Sequence, residues 1–149
     1  MRLLFDVTHP ALVHLFTPAA TALDDRGHDV TVAAREKDVT TDLLDAVDLP
    51  YVVASRAGSG PLSRVEELIE RTRGLTAIAR ETQPDVVVSQ VDPAAVYAAR
   101  RVGARAVVFD DSEHERVAAA LTHRFADVVC TPAGFDRDVP NQRRYDGFH

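Results

Sequence analysis

Three short apolar runs constrain this chain more than any other feature: Val86-Val87-Val88-Ser89, Ala106-Val107-Val108-Phe109 and Asp127-Val128-Val129-Cys130. They are apolar at consecutive positions rather than at alternate ones. A strand with one wet face alternates, whereas a strand covered by helices on both faces does not. Longer Ala- and Leu-rich stretches lie between such runs along the whole chain. The pattern predicts strands over Arg2–Val7, His28–Ala34, Pro50–Ala54, Asp85–Ser89, Arg105–Phe109 and Asp127–Cys130. Helices are expected over Pro10–Arg26, Thr40–Asp48, Leu62–Thr82, Pro93–Val102 and Glu113–Phe125, with Gly27 and Pro84 as stop signals. Val65, Leu68, Ile69, Leu75 and Ile78 are expected on the buried stripe of the long central helix. Pro18 is expected to kink the first helix, or to restart it with Thr17 as cap. Right-handed crossovers then give a doubly wound parallel sheet of six strands, ordered 3-2-1-4-5-6, in one domain over residues 1–149.

Composition excludes several function classes. The longest apolar runs fall well short of the roughly 18 residues a membrane helix needs. Asp6 interrupts the N-terminal apolar stretch too early for a secretory signal. A cytoplasmic protein is expected, at most peripheral to the membrane. One cysteine, Cys130, allows neither an internal disulfide nor a multi-cysteine metal site. A net charge of −6 disfavours nucleic acid as a partner. Of the 17 basic residues only Lys37 is not arginine, and Asp outnumbers Glu, a composition expected of a host with a salty cytoplasm.

Ligands of open parallel sheets bind beyond the carboxyl ends of the strands. The unusual polar residues fall at those ends: Thr8 and His9 after strand 1, Ser55 to Gly60 after strand 3, Ser89, Gln90 and Asp92 after strand 4, and Asp110 to His114 after strand 5. The opposite rim carries only turn residues such as Arg26-Gly27 and Val102-Gly103. No glycine follows strand 1 before Gly27, so a pyrophosphate-cradling loop is excluded. His9 or Thr8 can cap the first helix, and His14 lies one turn further on, within reach of a ligand. Asp92-Pro93 repeats the capping pattern, leaving Asp92 as either a cap or a ligand to a hydroxyl. His28 and His123 read as structural, the latter toward helix-terminal carbonyls, and Arg71, Arg73 and Arg80 as a solvated face. Crowding among Asp110, Asp111 and Glu113 favours a general base there; a Mg²⁺ site is the weaker reading, and no metal is expected. A phosphoacceptor receiver is excluded, because the acids follow strand 5 rather than strand 1.

The segments Leu3-Phe5-Asp6, His9-Pro10, His14, Pro18 and Arg26-Gly27-His28-Asp29-Val30 resemble the opening of GT-B glycosyltransferases. Together with Pro84-Asp85-Val86-Val87, Asp110-Asp111-Ser112-Glu113-His114, Thr131-Pro132 and Tyr145-Asp146-Gly147-Phe148-His149, they resemble the archaeal and bacterial DUF354 family. These are predicted glycosyltransferases related to the non-hydrolysing UDP-N-acetylglucosamine 2-epimerases. The resemblance covers essentially the whole chain. It implies the Rossmann-like N-terminal half of a GT-B fold, with the nucleotide-sugar half missing and this chain inactive alone. It implies an acceptor-side domain, with a nucleotide sugar and a sugar or lipid-linked acceptor as partners and no cofactor besides. Asp111, Glu113 and His114 become the candidate catalytic residues. His9, His14 and Asp92 would bind substrate, and Gly58 and Ser59 would form a lid over the acceptor. Thr8-His9-Pro10 and His14 stand where the epimerases carry a Thr-Arg-Pro turn and a lysine, which favours transfer over epimerisation. The rivals are a UDP-sugar 2-epimerase-like enzyme and a noncatalytic half that needs a partner domain.

Overall fold

Continuous apolar strands become the centre of a parallel sheet in the computed structural model, which describes residues 1–36, 39–56, 63–111 and 116–147. The elements are β1 (Arg2–Val7), α1 (Pro10–Asp24), β2 (Asp29–Glu36), α2 (Thr40–Ala46), β3 (Val52–Arg56) and α3 (Ser63–Thr82). They continue with β4 (Val86–Gln90), α4 (Pro93–Val102), β5 (Arg105–Phe109), α5 (Arg116–Phe125), β6 (Val128–Pro132) and β7 (Gln142–Tyr145). The sheet order is β3-β2-β1-β4-β5-β6-β7, and every adjacent pair is parallel. This is the expected doubly wound order with a seventh strand added. β7 is polar (Gln-Arg-Arg-Tyr), as an edge strand can be, so apolar periodicity does not reveal it. The connection from β6 carries no helix, and Phe135 is the side chain it buries.

Period-2 alternation sends each strand's residues to two different cores. Leu3, Phe5 and Val7 pack with Leu12, Val13 and Phe16 of α1. Leu4 packs on the other face with Leu75, Ile78 and Ala79 of α3 and the alanines of α4. Asp6 shares Leu4's face, so an acid enters the α3–α4 side of the core. On α3 the buried positions include Arg71, Leu75, Ile78 and Ala79, spaced four, three and one residues apart. The stripe is therefore rotated from the expected one: Leu68 and Ile69 are exposed, and Arg71 is not part of a solvated face.

Two glycines fit needs of the backbone. Gly103 ends α4 at φ 74°, the left-handed cap. Gly74 lies where α3 crosses β3 so closely that a Cβ would overlap the Ala54 carbonyl. Pro18 sits inside an unbroken α1. Thr17 does not restart the helix; its hydroxyl donates to the Val13 carbonyl at 2.6 Å.

Candidate functional site

At the carboxyl edge the strand order reverses between β1 and β4: β1 leads into α1 on one face, and β4 into α4 on the other. Two helix N-termini thus stand at the switch point, where open parallel sheets hold their ligands, and both are built as cap then proline. His9 caps α1, its Nδ1 accepting the Ala11 N–H at 3.3 Å. That bond leaves the proton of the neutral imidazole on Nε2, a donor for a ligand. Asp92 caps α4, its Oδ1 accepting the Ala94 N–H at 2.7 Å. His14 is exposed one turn into α1.

Asp92 does more than cap. Its Oδ2 accepts from Arg71 Nε at 2.6 Å, and Arg71 Nη2 also bonds Asp6. Asp6 is fully buried and Arg71 nearly so. One guanidinium from α3 therefore ties the end of β1 to the start of α4, and it must serve two carboxylates. Burial, reinforced by the Asp92 charge, outweighs Arg71 and pushes the Asp6 pKa up to about 6. Arg71 keeps its proton more firmly than usual, because the two acids outweigh its desolvation. Asp6 Oδ1 and Arg71 Nη1 are sealed from solvent without a protein partner among the described residues. Such groups are the usual seats of buried water.

The raised Asp6 makes stability depend on pH in an unusual direction. The unfolded chain releases this proton near pH 4, while the native state holds it to about pH 6. Between those values the native state binds more protons, so this contribution is full below about pH 4 and is lost as pH rises through 6. Asp6→Asn should remove about 3 kcal/mol of pH dependence across that window. Urea unfolding of both proteins from pH 4 to 7 measures it; parallel curves would contradict the assignment.

The cluster after β5 divides. Asp110 turns inward, its Oδ2 2.9 Å from Nε2 of buried His123 on α5. His123 is thus structural as expected, but toward a carboxylate rather than toward helix-terminal carbonyls. Asp111 is exposed and accepts from Gln90 Nε2 at 3.1 Å, linking the β4 and β5 ends. Ser112, Glu113 and His114 lie outside the described residues, as do Gly58, Ser59 and Gly60. Among the described residues no group of three or more His, Cys, Asp or Glu side chains could hold a metal ion.

Sequence reasoning placed Gln90 at the carboxyl end of strand 4 without a role, read Arg71 as solvated, and gave Tyr145 no place at the site. Tyr145, at the end of β7, packs its ring 6.1 Å from that of Phe109. Burial, then the nearby Asp111 charge, pushes its hydroxyl up to about 12, so it remains a proton donor. Arg71 had a signal: it lies four residues before Leu75 on the buried stripe, and Asp6 needed a buried cation. For Gln90 the sequence offered none beyond its place at a strand end, and for Tyr145 none beyond the segment that carries the family resemblance.

Comparison with solved structures places the fold. MurG of Acinetobacter baumannii superposes at a TM-score of 0.76 with 16% identity, over 99% of this chain and 46% of that one. The UDP-GlcNAc 2-epimerase of Methanocaldococcus jannaschii gives 0.71 and 17%, over 89% of this chain and 40% of its own. The Neisseria meningitidis UDP-GlcNAc 2-epimerase, solved bound to UDP-GlcNAc, gives 0.68 and 15%, over 86% and 40%. This chain spans less than half the length of each, and the shared architecture is the Rossmann-like α/β domain of the GT-B type. No curated protein matches significantly in sequence. The profile of the family described as "Protein of unknown function (DUF354)" matches residues 1–143, and the chain belongs to that family.

Proposed function

We propose that this chain is the acceptor-side domain of a GT-B type glycosyltransferase that uses a nucleotide sugar. The nucleotide-sugar domain would come from a C-terminal continuation or a separate polypeptide, and this chain alone would be inactive. The observation that carries the reading is the arrangement at the switch point: Asp92 is pinned by Arg71 across from the His9-capped start of α1. A donor's diphosphate suits the α1 end, where the helix dipole and His9 Nε2 meet an anion without a competing acid. An acceptor hydroxyl suits Asp92, whose two oxygens each keep a lone pair after capping α4 and binding Arg71. His14 extends the same wall, and Gly58 and Ser59 would close over the acceptor.

Transfer needs a base for the acceptor hydroxyl and a stabilised leaving diphosphate. We assign the base to the Asp111, Glu113, His114 segment, with Glu113 first. The protein would act in the cytoplasm, at most peripheral to the membrane. In the complete polypeptide of the natural locus, assayed with nucleotide sugars and candidate acceptors, Glu113→Gln should lower kcat at least a hundredfold with an unchanged circular dichroism spectrum. Unchanged turnover would remove Glu113 as base.

The second reading, a UDP-sugar 2-epimerase, is favoured by the epimerases among the similar structures. Incubation with UDP-N-acetylglucosamine and no acceptor separates the two, since only an epimerase yields the C2 epimer. The third, a noncatalytic half, predicts co-purification with a second polypeptide.

A further inference from the structure

We propose that the outer face of the α3–α4–α5 layer docks the protein on an anionic lipid bilayer. Large apolar side chains stand exposed on all three helices: Leu68 at 47%, Ile69 at 45% and Tyr97 at 51%, followed by Val117, Leu121 and Phe125 on α5. Single exposed apolar residues are ordinary, but six on one helical layer are not. Leu68, Ile69 and Tyr97 line a groove of about 530 Å³ between α3 and α4, whose charged lining, among the described residues, is Arg73, Arg80 and Arg101.

Charge is segregated to match. The chain carries −6 overall, yet α4 and α5 contain no Asp or Glu, and Arg100, Arg101 and Arg124 are exposed on them. Of the acids of α3, Glu66 and Glu70 line an adjoining groove beside Ala54 at the β3 edge, which shares Ile69, Arg73 and Ala77 with the first, Glu67 is paired with Arg35, and Glu81 is not among the described lining residues of the first groove. Arginines interleaved with leucine, isoleucine and aromatic side chains are the composition of helices that lie in the headgroup region of anionic membranes. The spread of apolar side chains over three parallel crests fits a plane better than it fits one partner helix. All three helices start at the carboxyl rim of the sheet, so a layer lying on the bilayer brings the crevice mouth beside the surface. The proposal suits a lipid-linked acceptor, but its test involves no sugar chemistry, and either reading can fail without the other.

The test is co-sedimentation of this chain with phosphatidylcholine vesicles, with and without phosphatidylglycerol. Binding should be at least tenfold tighter to the anionic vesicles and should weaken with salt. Each arginine near an anionic leaflet multiplies partitioning by roughly fivefold. The triple variant Arg73→Gln/Arg80→Gln/Arg101→Gln should therefore lose on the order of a hundredfold. Leu68→Ser/Ile69→Ser should bind more weakly at every salt concentration. Circular dichroism checks that these exposed changes leave the fold intact. Absent binding, equal binding to neutral vesicles, or binding unchanged in both variants would overturn the proposal. So would concentration-dependent self-association abolished by the same variants without vesicle binding, which would assign the face to a second copy of the chain.

Discussion

Arg71→Met should cost about 3–5 kcal/mol of stability at neutral pH, read from urea unfolding. The loss reflects what the side chain leaves behind. Asp6 is fully buried, and Arg71 is its ion-pair partner. Without the guanidinium, Asp6 must either hold a charge in the core or take up a proton at a pH where carboxylates normally lack one. The deficit should shrink as pH falls toward 4, where Asp6 is protonated in any case. Adding Asp6→Asn should restore most of the stability, because removing both members of a buried pair leaves no stranded charge. A single variant within 1 kcal/mol of wild type, or a double variant worse than the single one, would show that the pair does not organise the crevice. The same variant should disturb the site, since Arg71 also holds the Asp92 carboxylate.

Gly74→Ala should be comparably damaging, by about 3 kcal/mol or more, at the upper end of overpacking effects. A Cβ at Gly74 would overlap the Ala54 oxygen and crowd its carbonyl carbon at 2.8 Å. Backbone atoms of a paired strand cannot rotate away as a flexible side chain can. Relief requires α3 to lift from β3, and α3 carries Arg71. The matched control is Gly134→Ala, where a Cβ meets nothing within 4 Å and the change should stay within about 0.5 kcal/mol. Equal melting temperatures for the two variants would contradict the close approach.

The parts of the fold that could be read in advance depend on local rules. Consecutive apolar residues marked β4, β5 and β6 as strands covered on both faces. Cap-then-proline pairs at His9-Pro10 and Asp92-Pro93 marked the starts of α1 and α4, and the structure places both caps there. The handedness of crossovers then ordered the strands. What escaped depends on contacts distant in sequence. Arg71 and Asp6 are 65 residues apart. An arginine among glutamates reads as surface until a buried acid is known to face it. Leu68 and Ile69 read as core because α3 offers two plausible stripes, and only the packing of β3 against Gly74 selects one. Asp110 and Asp111 look like one cluster in sequence, yet successive residues leaving a strand point apart. Asp110 is sealed against His123, while Asp111 faces Gln90.

The central claim is that the crevice over the ends of β1, β4 and β5 receives the reacting molecules. Amide NMR of this chain, titrated with millimolar UDP-N-acetylglucosamine and with a panel of oligosaccharides, tests it directly. The account predicts saturable shifts at residues 8–14, 90–94 and 109–111, with the α3–α4 groove unaffected. Saturable shifts centred on that groove or on the opposite rim, or no response from the crevice to any of these ligands, would contradict it.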